Sequence, residues 1–247
     1  MMEVLVLIRA SIKTSLNEPK VTNSTSKSFK NWSTALFGVF AIAYTTSSFY
    51  GPYSYSWLPK IVPMLILIGL AYISLGTSRK HFLFGLAFST CGDVLLAVKQ
   101  GELFVFGLGA FLIAHLFYIA SLLPIEKTRL KSQAPTIALY LLFGLVVFGL
   151  LFNNLGALLL PVSVYMLVLL LMAFSTLISQ RANVWLMLGG ASFVLSDSLI
   201  GLNKFYQAIP ASGVWIMATY YLAQYCLLMG MLKSDAKNEI DGVTAVA

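Results

Sequence analysis

Charge is scarce in this sequence. Asp, Glu, Lys and Arg together make up 10% of 247 residues, while 59% are hydrophobic. A soluble domain carries about a quarter charged residues and about half apolar ones. A soluble fold of this length could not hide so much apolar surface, so lipid is the expected solvent for much of the chain. Acids are scarcer than bases, 9 against 16, for a net charge of +7. The bases sit in short tails and loops, where they act as topology signals rather than as a basic face, which excludes nucleic acid as a partner. There are two cysteines, Cys91 and Cys226, without CxxC spacing. They read as small buried hydrophobes and exclude a disulfide framework. His81 and His115 are the only histidines, too few for a histidine-rich metal centre, so no metal and no cofactor is expected. No G-x-S-x-G is present to support serine hydrolysis. Gly107-Leu108-Gly109 follows no strand and is not a dinucleotide loop; Gly107, Ala110 and Ala114 read as a helix-packing stripe.

What is abundant is long apolar runs. A helix needs about 20 mostly apolar residues to cross a bilayer, and the runs predict spans at 33–50, 61–77, 82–98, 103–123, 135–152, 157–178, 184–202 and 212–232. Pro52, Pro59, Pro124, Pro135 and Pro210 punctuate loops or first turns. The runs are continuous rather than alternating, which excludes a β-barrel. The expected fold is all-α, a polytopic eight-helix transmembrane bundle. A polar cytoplasmic tail (1–31) precedes the membrane domain (32–232), and a cytoplasmic C-terminal tail (233–247) follows it. No cleavable signal peptide is evident, because Val4–Ile8 is short and Arg9 and Lys13 follow it. With the N-terminus inside, Arg9, Lys13, Lys20, Lys27, Lys30, Arg79, Lys80, Lys127, Arg129, Lys131, Arg181, Lys233 and Lys237 are cytoplasmic. Only Lys60, Lys99 and Lys204 lie outside. That asymmetry predicts both termini in the cytoplasm. The location expected is the inner membrane of a bacterium or the endoplasmic reticulum of a eukaryote.

Two residues stand out against this apolar background. Of the nine acids only Asp93 and Asp197 fall within the expected spans. A carboxylate in hydrocarbon costs at least about 2.5–3.5 kcal/mol on insertion scales and usually faces a functional interior. Each could also merely hydrogen-bond a neighbouring helix. A weak repeat at an offset of 104 aligns Asp93 with Asp197, Gly85 with Gly189 and Ala114 with Ala218. Helices 3–4 then resemble helices 7–8, as a parallel repeat. Two helices entering from one side would carry the carboxyls to similar depth, within about 10 Å of each other on this reading. A carboxyl pair in a low-dielectric site supports either acid/base catalysis or a proton-coupled carrier. Around the pair lie Ser196, Ser198 and Asn203, with His115 and Tyr118 one turn apart on helix 4. Helix 8 carries Tyr220, Tyr221 and Gln224. Each of these alone is more often interhelical glue than a ligand. Lys60 reads as a snorkelling anchor or a contact for an anionic lipid head.

The stretch Gly85-Leu-Ala-Phe-Ser-Thr-Cys-Gly-Asp93-Val-Leu-Leu resembles the first signature of the YhhN, or lysoplasmalogenase, family. So does Phe106-Gly-Leu-Gly-Ala-Phe-Leu-Ile-Ala-His115-Leu-Phe-Tyr118. Phe193-Val-Leu-Ser-Asp197-Ser-Leu-Ile-Gly-Leu-Asn203-Lys-Phe resembles the second signature, and Ala218-Thr-Tyr-Tyr-Leu-Ala-Gln224 the C-terminal one. Lys60 falls where the family has a lysine, though here it follows Pro59. The resemblance covers roughly residues 35–232, and the polar N-terminal tail is outside the family pattern. It implies an integral membrane enzyme that hydrolyses the vinyl ether of lysoplasmalogens to a fatty aldehyde and a glycerophospho-alcohol. It places the two essential aspartates at Asp93 and Asp197. The partners implied are a lysophospholipid substrate and membrane lipid. A proton-coupled small-molecule or lipid transporter is the alternative that the residues themselves leave open.

Overall fold

The computed structural model describes residues 21–51, 53–75, 79–98 and 102–244. The chain divides into two compact units, Met1–Ala35 and Leu36–Ala247. Of the first, residues 1–20, most of the expected polar tail, lie outside the described residues, and those described are helical.

All regular structure among the described residues is helical. In chain order the helices are α1 (Val21–Ser47), α2 (Trp57–Ser74), α3 (Arg79–Ala97), α4 (Phe104–Leu122), α5 (Lys127–Ser132), α6 (Ala134–Phe152), α7 (Leu159–Ile178), α8 (Val184–Phe205) and α9 (Ser212–Thr244). Six of them are long and apolar enough to cross a membrane: α2, α4, α6, α7 with the turn before it, α8, and α9 through Lys237. The protein is therefore a multi-pass membrane protein. The other two long helices are more polar. α1 is rich in Ser, Thr and Asn, and α3 carries Arg79, Lys80, His81 and Asp93.

Small residues set how closely the helices approach. α3 packs on α4, and α8 on α9. A Cβ on Gly92 would stand 2.5 Å from the Phe111 ring, and one on Gly189 2.8 Å from Leu227. Gly107 sits against Leu96, and Ala110 and Ala114 are buried, so the small-residue stripe does face α3. In lipid there is little hydrophobic drive between helices, and such close van der Waals contact takes its place. α4 and α8 also pack on α7, and α2 on α3 and α9. The core between them is formed by Met64, Leu67, Phe111, Tyr118, Phe193 and Leu227, among others.

Polar caps close one end of the bundle. Asn183 caps α8, accepting from the Trp185 and Leu186 amides, and its Nδ2 donates to the Gly230 carbonyl of α9 at 2.9 Å. Ser179 donates to the Leu122 carbonyl, and the Glu126 amide to the Ile178 carbonyl at 2.7 Å. Arg181 pairs with Asp235 at 2.5 Å. The helix that holds the 212–232 span, α9, runs on to Thr244, and the Arg181–Asp235 pair anchors its first turn beyond residue 232. One sequence expectation needs correction. Cys226 is buried, but Cys91 is exposed. The face of α3 that meets its neighbours carries Ser89, Gly92 and Asp93, and helical geometry turns Cys91 away from it.

Candidate active site

The site begins with a charge that cannot be left alone. Asp93 is 2% exposed, on a helix whose neighbours are apolar. A buried carboxylate must be paired and hydrogen-bonded. Lys60 Nζ lies 3.0 Å from Asp93 Oδ1 and donates weakly to the Asp93 carbonyl at 3.4 Å. Tyr220 Oη donates to Asp93 Oδ2 at 2.6 Å. Both oxygens are thus held, one by an ammonium from α2 and one by a phenol from α9. Tyr221 Oη donates to the Lys60 carbonyl at 2.7 Å, fixing the turn that presents the lysine. Lys60 is itself buried, so it is no snorkelling anchor. Its ammonium turns inward because Asp93 is there to meet it.

The second carboxyl has a different setting. Asp197 Oδ2 accepts from Tyr165 Oη of α7, and no cation pairs with it among the described residues. The two carboxyls are joined through rings rather than directly. Tyr220 packs edge-on against Phe193 at 5.8 Å, Phe193 against His115 at 4.7 Å, and His115 against Tyr165 at 5.6 Å. His115 is fully buried, and its Nδ1 lies 2.7 Å from the Phe111 carbonyl. A carbonyl only accepts, so Nδ1 carries the proton and Nε2 is an acceptor. Nε2 has no hydrogen-bond partner among the described residues.

Two cavities meet this core. One, of about 620 Å³, is a vestibule at the end of the bundle formed by the α1–α2 and α8–α9 connections. Lys60, Asn203, Lys204, Ser56, Tyr53 and Ser212 line it, with no acid in its walls among the described residues. The other, of about 50 Å³, is a narrow apolar slot between α4, α6, α7 and α8. Asp197, Tyr165 and Ser198 supply its polar atoms, and Leu108, Val147, Val162 and Met166 its apolar walls. Leu96, Phe104 and Ile200 border both spaces.

The other residues singled out in the sequence divide between site and scaffold. Tyr118 Oη contacts Ser89 Oγ at 3.1 Å and donates to Gln224 Oε1 at 2.8 Å, which leaves Gln224 Nε2 without a partner among the described residues. Ser196 donates to the Ile216 carbonyl at 3.2 Å and ties α8 to α9. Asn203 Oδ1 accepts from the Ile209 amide at 2.9 Å, shaping the loop at the vestibule rim. Sequence reading missed Tyr165, one of twelve tyrosines, with no acid nearby in the chain to mark it. It also treated Lys204 only as a topology charge.

A buried ion pair and a second carboxyl, set within helices fit to cross a bilayer, define a polytopic membrane protein with a polar functional core. The chain belongs to the YhhN family, whose model matches residues 55–231. Among similar curated proteins is the Mycobacterium tuberculosis (strain CDC 1551 / Oshkosh) lysoplasmalogenase, 33% identical over 68% of this chain and 67% of that protein. Human lysoplasmalogenase TMEM86A is 32% identical over 69% of this chain and 72% of its own length. Mouse lysoplasmalogenase TMEM86B is 29% identical over 72% and 77%. No solved structure matches the chain.

Proposed function

We propose that this protein hydrolyses the vinyl ether bond of lysoplasmalogen-type lysophospholipids, releasing a fatty aldehyde and a glycerophospho-alcohol. The names of its relatives support the substrate class. The observation that carries the chemistry is the contrast between the carboxyls: Asp93 faces an ammonium, Asp197 only a phenol within an apolar slot. Asp197 is the group suited to deliver a proton, and Asp93 the one suited to remain a carboxylate. In this scheme Asp197 protonates the vinyl carbon remote from oxygen. The adjacent carbon becomes an oxocarbenium ion, stabilised by the Asp93 charge. Water adds to that carbon and loses its proton to a carboxylate oxygen of Asp93, which keeps lone pairs free beside Lys60 and Tyr220. The hemiacetal then collapses: its hydroxyl proton passes to the Asp197 carboxylate as the C=O forms, and the proton held by Asp93 passes to the glycerol oxygen, which leaves as an alcohol, so both carboxyls return to their starting states. His115 Nε2 and the Gln224 amide are the unpartnered groups suited to hold the water or a substrate hydroxyl. Tyr118, Ser198 and Tyr221 support the pocket around them.

The decisive experiment presents purified protein with three lysolipids that differ only at the first glycerol carbon: 1-alkenyl, 1-alkyl and 1-acyl. Aldehyde from the alkenyl lipid alone is expected. Fatty acid from the acyl lipid would refute the chemistry. No turnover, together with proton-linked solute uptake into vesicles, would replace the enzyme with a carrier.

The proposal includes eight spans, α1–α4 and α6–α9, arranged with a parallel repeat. Gly85 and Gly189, aligned by the 104-residue offset, both sit where a Cβ would strike the next helix, at Tyr118 and Leu227. In each half the helix preceding the aspartate supplies its partner: Lys60 shifted by 104 falls on position 164, beside Tyr165. Reporter fusions at the C-terminus and in the 203–211 loop test this. The first is expected inside and the second outside, and an external C-terminus would sink the eight-span arrangement.

A further inference from the structure

We propose that the vestibule is a phosphate subsite in which Lys204 grips the phosphodiester of the lysolipid headgroup, making Lys204 a specificity-determining residue. This rests on the hydrolase reading above and names what that reading leaves open: how the polar half of the substrate is held.

Three observations lead there. First, the vestibule is a cation-lined space without a counter-charge. Among the described residues its walls carry two lysines and no acid. Lys60 is neutralised by Asp93, whereas Lys204 meets no carboxylate within salt-bridge distance among the described residues. Lys204 is exposed on the vestibule wall, and an unmatched positive charge in a concave site favours an anion. Second, Lys204 is held in place. Its Nζ lies 4.5 Å from the centroid of the Phe104 ring and 5.8 Å from that of Phe205. Phe104 borders both the vestibule and the slot. The ammonium therefore lies over a ring that borders both spaces, where a lipid whose vinyl ether reaches Asp197 would bring its phosphate. Third, hydroxyls and an amide complete the polar lining. Ser56 is 6% exposed and lines the vestibule with Ser212, Tyr53 and Asn203. At about 620 Å³ the space falls within the range of about 300–1,000 Å³ typical of small-ligand sites.

The same vestibule sits at the end of the bundle with fewer cations. Lys80, Lys127, Arg129, Lys131, Arg181 and Lys233 belong to the opposite end. Lys204 is therefore not part of the positive belt that sets topology.

The test compares wild type with Lys204→Met and Lys204→Arg on two vinyl ether substrates: a 1-alkenyl lysophospholipid and the corresponding 1-alkenylglycerol, which lacks phosphate. Lys204→Met is expected to raise KM for the phospholipid at least about tenfold, the usual cost of losing a charge-assisted contact. The effect on kcat should stay within about twofold, and Lys204→Arg should restore most of the affinity. The KM penalty should be confined to the phosphate-bearing substrate. Equal changes on both substrates, or none on either, would overturn the proposal. A parallel titration keeps the subsite separable from the chemistry. Binding of a saturated 1-alkyl lysophospholipid, a 1-alkylglycerol and inorganic phosphate alone is measured calorimetrically on wild type and Lys204→Met. If no vinyl ether is cleaved but the alkyl phospholipid binds with the same Lys204 dependence, the hydrolase reading fails and the subsite stands. If inorganic phosphate binds as tightly as the lipid, the site is a free-anion site and the headgroup assignment is overturned.

Discussion

Asp197→Asn is expected to lower aldehyde release at least about a hundredfold, the usual scale for losing a positioned general acid, while the protein stays folded. Asparagine keeps the size of aspartate and an oxygen to accept the Tyr165 phenol, so the contact between α7 and α8 survives. What it cannot do is deliver a proton. Asp93→Asn should be at least as damaging to turnover, but it is the less clean experiment. It leaves the Lys60 ammonium buried beside a neutral amide, so lost stability accompanies lost chemistry. Detergent-phase unfolding separates the two: the Asp197 variant should melt with wild type and the Asp93 variant below it. The wild-type pH profile should be bell-shaped, falling on the acid side as the carboxylate base is protonated and on the alkaline side as the acid loses its proton. Wild-type rates in both variants would end the acid/base scheme.

Lys60→Met should be the most destabilising single change near the site. It removes the cation from a carboxylate that is 2% exposed and has only the Tyr220 phenol left to hold it. Breaking one side of a buried ion pair costs about 3–5 kcal/mol, because the remaining charge stays buried without compensation. The double variant Lys60→Met/Asp93→Asn removes both charges and should recover most of that stability, since two neutral groups replace the pair. It should recover no activity. Unfolding midpoints for the two singles and the double make a complete cycle. If the double is no more stable than Lys60→Met, the pair does not govern the stability of this region. If activity returns with stability, Asp93 is scaffold rather than catalyst.

Much of the fold was legible because lipid enforces a simple rule: apolar runs of spanning length become helices with every backbone group satisfied internally. The runs from 103 to 123 and from 135 to 152 match α4 and α6 to within a residue at each end. The acids were legible for the same reason, since a carboxyl in such a run is costly enough to need an explanation. Their partners were not. Lys60 lies near a helix start, where a lysine ordinarily reaches for water, and only the packing of α2 against α3 shows that it reaches Asp93. Tyr165 lies 32 residues from Asp197 in sequence, and a tyrosine in an apolar helix is unremarkable by itself. Lys204 follows Asn203 at a helix end, where the sequence supports only a topology reading. The cavities are properties of how five or six helices fail to fill space, and no single segment carries that information.

The narrow apolar slot and the polar vestibule meet at only three side chains, Leu96, Phe104 and Ile200. For a reaction that cuts a lipid at this border, the two products belong to different phases from the moment they form. The aldehyde would be left against the apolar walls of the slot, and bilayer is its better solvent. The phosphorylated alcohol would be left against the polar lining of the vestibule, and water is its better solvent. Recombination would require both to return at once from separate phases, which slows the back reaction at the site, while the equilibrium itself stays with water and the product concentrations.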